Sequence, residues 1–126
     1  MRITILTLIS LIFFCLNLYS QKVQSSNYEP YMQEVYGGTP YLEDSHKREY
    51  IEFMKKVEVK VWDGQDYPIL ETVYLKDKYN PNLKYDFGQK FDPLNFNPLK
   101  YQFDFYRESK SVYRVRDSKY MIVIYP

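Results

Sequence analysis

Val57-Glu58-Val59-Lys60-Val61-Trp62, followed by Asp63-Gly64-Gln65-Asp66, is the stretch on which the fold reading turns. Three valines fall on one side, and Glu58, Lys60 and Trp62 on the other. That period of two is the mark of a strand with one face buried. Asp63-Gly64 opens a turn signal, and residues 69–75 form a second β-prone run, so the two together predict a hairpin. Further on, residues 99–106 alternate again, with Tyr101, Phe103 and Phe105 on one face. Residues 111–116 read as a strand and Asp117-Ser118-Lys119 as a turn. Residues 120–125 are almost continuously apolar, which predicts a central strand covered on both faces. The expected fold is therefore mainly β: a small antiparallel domain over residues 41–126, with the hairpin, a three-stranded C-terminal meander and one short helix. That helix is placed within residues 41–56. Asp44 or Ser45 would cap it, and Tyr50, Ile51, Phe53, Met54 and Val57 fall on one face.

Two stretches resist this patterning. Residues 77–98 are rich in Asn, Pro and Asp, and a loop of that length inside a small domain is often functional. One short strand, residues 84–87, is expected to interrupt it. The loop also contains a faint echo: Asn80-Pro81-Asn82-Leu83-Lys84-Tyr85 against Asn97-Pro98-Leu99-Lys100-Tyr101, one residue shorter. Such an echo would place two strands after similar Asn-Pro turns. Residues 21–40 are polar, with Gly37-Gly38, Pro30 and Pro40, and read as an irregular arm. Tyr28, Tyr31 and Tyr36 argue that part of this arm lies against the domain, because a disordered linker carries fewer aromatics.

Residues 1–20 have the pattern of a cleaved export signal: Arg2, then an apolar run, then the small Ser20 before Gln21-Lys22. The run is short for a permanent membrane anchor. Lipidation at Cys15 is disfavoured by Phe14 before it. The expectation is cleavage after Ser20 and a secreted or periplasmic protein that does not engage the membrane once the signal is removed, with membrane tethering as the alternative.

The chain has 17 basic and 16 acidic residues, and loss of Arg2 leaves the remainder neutral. Nucleic acid is not an expected partner, since it demands concentrated positive charge. Cys15 is the single cysteine, so the exported chain is disulfide-free and has no thiol chemistry. Small secreted eukaryotic domains are usually disulfide-dense, which favours a bacterial origin. The end of the chain, Asn97-Pro98-Leu99-Lys100-Tyr101 through Tyr113-Arg114-Val115 to Tyr120-Met121-Ile122-Val123-Ile124, resembles the C-terminal regions of small exported bacterial proteins of unknown function. The resemblance implies no activity.

The catalytic inventory is thin. His46 is the one histidine, in a charged run, and no Gly-x-Ser-x-Gly elbow accompanies it. One histidine does not make a zinc site. Asp63, Asp66 and Asp77, or Asp86 and Asp92, offer oxygens for calcium but lack the spacing of a calcium loop. Glu58 and Glu71 would face each other across the hairpin, as surface charges rather than a glycosidase pair. No catalytic residue, metal or cofactor is expected. Aromatic residues remain: 15 Tyr, 8 Phe and 1 Trp. Exposed rings make good recognition surfaces, so Trp62, Tyr79, Tyr85, Phe91 and Phe96 are the candidate ligand-binding residues, for a protein or a glycan. The alternative is an envelope-associated protein that self-associates through a strand edge. A small hydrolase is the third reading.

Overall fold

The computed structural model describes residues 20–37 and 46–126. Four strands, β1 (Ser20–Lys22), β2 (Val57–Val61), β3 (Ser111–Arg114) and β4 (Tyr120–Ile124), form one antiparallel sheet in the order β1-β2-β4-β3. Two helices of nine residues, α1 (Tyr28–Tyr36) and α2 (Lys47–Lys55), accompany it. The small antiparallel β domain expected from the sequence is thus present, with its parts arranged differently. Residues 1–19 and 38–45 lie outside the described residues. They hold most of the expected export signal, Cys15, Gly38 and the candidate caps Asp44 and Ser45.

The alternation in β2 is as read: Val57 and Val59 are buried, while Glu58 and Lys60 are half-exposed. β4 is central, and Met121, Ile122, Val123 and Ile124 are all buried. Ile122 and Ile124 join the main core. Met121 lies between Lys60 and Arg114, and Val123 between Glu58 and Val112, in the ladder. Asp117, at φ 55°, makes the β3–β4 turn, a conformation Asp tolerates through its short polar side chain.

The predicted hairpin does not form. β2 already has β4 on one side and β1 on the other, so no edge is left for residues 69–75. Pro68 lacks an N–H, and Leu70–Thr72 closes into a 3₁₀ turn in which Thr72 Oγ1 donates to the Ile69 carbonyl at 2.7 Å. Leu70 and Val73 still enter the core. The meander has two strands rather than three. Tyr101, Phe103 and Phe105 alternate inward as read, but the only bridge they take part in is Leu75–Tyr101. Their rings form a stack instead: Phe96–Tyr101 at 5.6 Å, Tyr101–Phe103 at 5.2 Å, Phe103–Phe105 at 5.9 Å and Phe105–Phe53 at 4.5 Å. Ring packing, not a hydrogen-bond ladder, holds this segment down.

The irregular arm is corrected too. Tyr28, Tyr31, Met32 and Val35 are buried at helical spacing on α1. Pro30 sits in the first turn, where a missing N–H costs nothing. Both Asn-Pro segments grip the far end of this helix. Asn97 Nδ2 donates to the Tyr31 carbonyl at 3.0 Å and to Glu34 Oε1 at 3.1 Å. Asn80 Nδ2 donates to the Glu34 carbonyl at 2.8 Å. Each Asn also accepts from a backbone N–H two residues on, Leu99 at 3.0 Å and Asn82 at 3.1 Å. The echo is therefore a repeated Asx turn used as a clamp, and no strand follows either copy. Residues 84–87 in particular are not a strand. Gly37, at φ 62°, ends α1, and a Cβ there would meet the Asn80 side chain at 3.0 Å.

Candidate functional site

The best-formed cavity, about 230 Å³, lies between α1, α2 and the chain leaving residue 75. Its construction follows from the fold. Met32, Val35 and Tyr36, at i, i+3 and i+4 on α1, supply one wall, and Tyr50 of α2 another. Leu99, held by the Asn97 turn, is a buried part of its lining. The Leu75–Tyr101 bridge fixes the mouth: Lys76 N donates to the Lys100 carbonyl and Gln102 N to the Tyr74 carbonyl, both at 2.8 Å. Gln102 Nε2 also donates to the Leu75 carbonyl at 3.0 Å. Lys76 and Gln102 are thereby set on the rim. Tyr79 stacks on Tyr36 at 4.6 Å and forms a lip.

Lys76 is the charged group of interest. Its Nζ lies 5.6 Å from the centre of the Tyr50 ring, and burial lowers its proton affinity below the ordinary lysine value of 10.5. Asp77 and Lys78 flank it in the lining, both exposed, and Lys78 Nζ sits over the Tyr79 ring at 5.3 Å.

Of the five candidate binding residues, only Tyr79 lines this cavity. Phe96 is 2% exposed and belongs to the core. Tyr85 packs against that core, 6.0 Å from the Tyr101 ring. Phe91 is 9% exposed, but with Trp62, Tyr120 and Lys119 it borders a broad shallow groove of about 640 Å³. There Trp62 has little left to offer a ligand. The Arg114 guanidinium covers one ring face at 4.6 Å, and the Trp62 indole Nε1–H donates to the Gln65 carbonyl at 2.7 Å. Tyr36, Tyr50, Met32, Val35 and Lys76 were not singled out as site residues. The helical spacing of residues 28, 31, 32 and 35 was the available signal for α1, and Pro30 masked it.

The other chemistry-bearing residues are dispersed. His46 lies 3.5 Å from Glu49 at the start of α2, exposed, with Tyr50 as its ring neighbour. Glu58 pairs with Val123 and Lys22 in the sheet, and Glu71 with Arg116 at 3.2 Å, so the two glutamates do not face each other. Asp63 is used in its own turn: the Tyr67 hydroxyl at 2.7 Å, then the Gln65 N–H, hold its carboxyl below the usual range. Among the described residues, no three His, Cys, Asp or Glu side chains are grouped as a metal site would require, and no helix is long and apolar enough to cross a membrane. Comparison of the chain with protein-family models, curated proteins and solved structures finds no match.

Proposed function

We propose that this protein is an exported, non-catalytic binding module whose working site is the tyrosine-lined pocket between α1 and α2. The observation that carries the reading is the lining itself: an apolar floor of Met32, Val35 and Leu99 under a rim of Tyr36, Tyr50, Tyr79 and Lys76. Apolar walls with a few convergent polar groups are what small-ligand sites share. Between a protein and a glycan as partner, the floor favours an apolar group such as a side chain, because sugar hydroxyls would lose water there without gaining partners. The volume limits the occupant to about one ring with a short chain.

Self-association through sheet edges has less support. β1 has three residues, and β3 has its outer side partly taken, with Arg114 N donating to the Pro68 carbonyl at 2.8 Å. Hydrolysis has less still, because His46 is exposed beside Glu49 and is not part of the pocket lining. Export rests on the first twenty residues. β1 keeps its pairings Gln21–Val59 and Lys22–Glu58 if cleavage falls after Ser20.

Amide chemical-shift mapping with a neutral ring, benzyl alcohol, tests the site. Shifts should centre on Val35, Tyr36, Lys76 and Tyr79 and vanish in Val35→Trp, which fills the cavity. Shifts at Trp62 and Phe91 instead, or none, would remove the reading. Mass spectrometry of the N-terminus from separated cell fractions tests export: a chain starting at Gln21 outside the cytoplasm is expected, and a full-length or lipid-modified chain in membranes contradicts it.

A further inference from the structure

We propose that the pocket selects ligands bearing a carboxylate on an apolar or aromatic body, with Lys76 holding the carboxylate; this rests on the pocket being a binding site. Other structured cations have oxygen partners, while Arg114 lies over the Trp62 ring. Lys100 has Asp86 at 3.0 Å and Glu34 at 3.6 Å, Arg116 has Glu71, Lys47 has Glu29, and Lys56 donates to the Phe105 carbonyl. Lys76 is more enclosed than the solvated surface lysines, yet its counterpart among the described residues is the Tyr50 ring face. An ammonium withdrawn from water without an anion is unfavourable, and an incoming carboxylate relieves it. The depressed proton affinity of Lys76 is the same fact seen from the proton's side. Beside the ammonium, the apolar floor demands that the rest of the ligand be apolar. At the mouth, exposed Asp77 repels the ligand and exposed Lys78 offsets it.

Calorimetric titration with 3-phenylpropionate and its uncharged twin, 3-phenylpropionamide, tests this. The protein should bind the acid about tenfold more tightly, the value of one charge-assisted hydrogen bond. Lys76→Met should abolish that preference while still binding the amide, and Lys76→Arg should keep part of it. Equal binding of acid and amide by the unaltered protein overturns the proposal and leaves the pocket reading standing. Binding of neither compound overturns both. A preference that survives in Lys76→Met overturns the role of Lys76. Gly-Gly-Phe with free and with amidated C-terminus separates two sources of the same chemistry. A free-ended peptide that matches 3-phenylpropionate assigns a chain terminus, and one that fails assigns a free acid. Both support recognition of a carboxylate.

Discussion

Two lysines face each other across one isolated bridge and live in different surroundings. Lys76 N donates to the Lys100 carbonyl at 2.8 Å, so their backbones are fixed together. The Lys100 side chain, 7% exposed, enters a closed polar cluster of Asp86, Glu34, the Tyr101 hydroxyl and Asn97. The Lys76 side chain lines a cavity where its close neighbour among the described residues is the Tyr50 ring, with the Asp77 carboxylate exposed at the mouth. The first cluster is complete, and it ties α1 to both Asn-Pro segments. The second lacks one partner. A half-buried cation whose partner among the described residues is only a ring face adds little to folding stability, and an anion that it binds better explains its presence.

The comparison breaks most visibly at Lys100. Lys100→Met leaves Asp86 and Glu34 without their cation and should cost about 3 kcal/mol in denaturant unfolding, the low end for a broken buried pair. The low end applies because Asp86 and Glu34 side chains are 30% and 47% exposed. Asn97→Ala removes three hydrogen bonds from a residue 2% exposed and should cost about 2 kcal/mol. Asn80→Ala, the more exposed copy of the same clamp, should cost about 1 kcal/mol. A larger loss at Asn80 than at Asn97 would show that the clamp is weighted the other way. Tyr101→Phe should cost about 1 kcal/mol and change the alkaline limb. Burial, then the Asp86 charge, raise the phenol above its ordinary 10.0. The proton is thus held more tightly folded than unfolded, so this contribution is complete below pH 10 and is lost as pH rises beyond it. Tyr101→Phe should flatten that decline, as followed by circular dichroism. Lys76→Met should change stability least, by within about 0.5 kcal/mol in either direction. A loss comparable to that at Lys100 would mean Lys76 has a structural partner after all.

Strand β2, the central strand β4 and the turn at Asp117 were legible because period and turn chemistry act over a few neighbouring residues. The hairpin was not, because whether residues 69–75 find a partner depends on which edges of β2 other strands occupy. That the edge goes to Ser20–Lys22 is a contact across more than thirty residues, with no local signature. The inward alternation of Tyr101, Phe103 and Phe105 was read rightly as burial and wrongly as a ladder, since rings can anchor an extended chain without pairing it. Loop aromatics were expected at a surface, but Phe96 and Phe91 went into the core and Tyr79 alone reached the pocket. Lys76 was invisible because one lysine among many gains meaning only from the bridge and helices that enclose it.

Nuclear magnetic resonance titration of the Lys76 side-chain ammonium, followed at its Cε, tests the central claim most directly. The groups facing it, Tyr36 on α1, Tyr50 on α2, and Asp77, Lys78 and Tyr79 along the mouth, are resolved by their own signals and by the Lys76→Met control. The midpoint should fall below the ordinary 10.5, because burial favours the neutral amine, and should move upward when 3-phenylpropionate saturates the site. Affinity for that acid should then decline as pH rises through the same midpoint. A midpoint at or above 10.5 that the acid does not move would show Lys76 to be an ordinary solvated or already paired lysine, and would contradict the account.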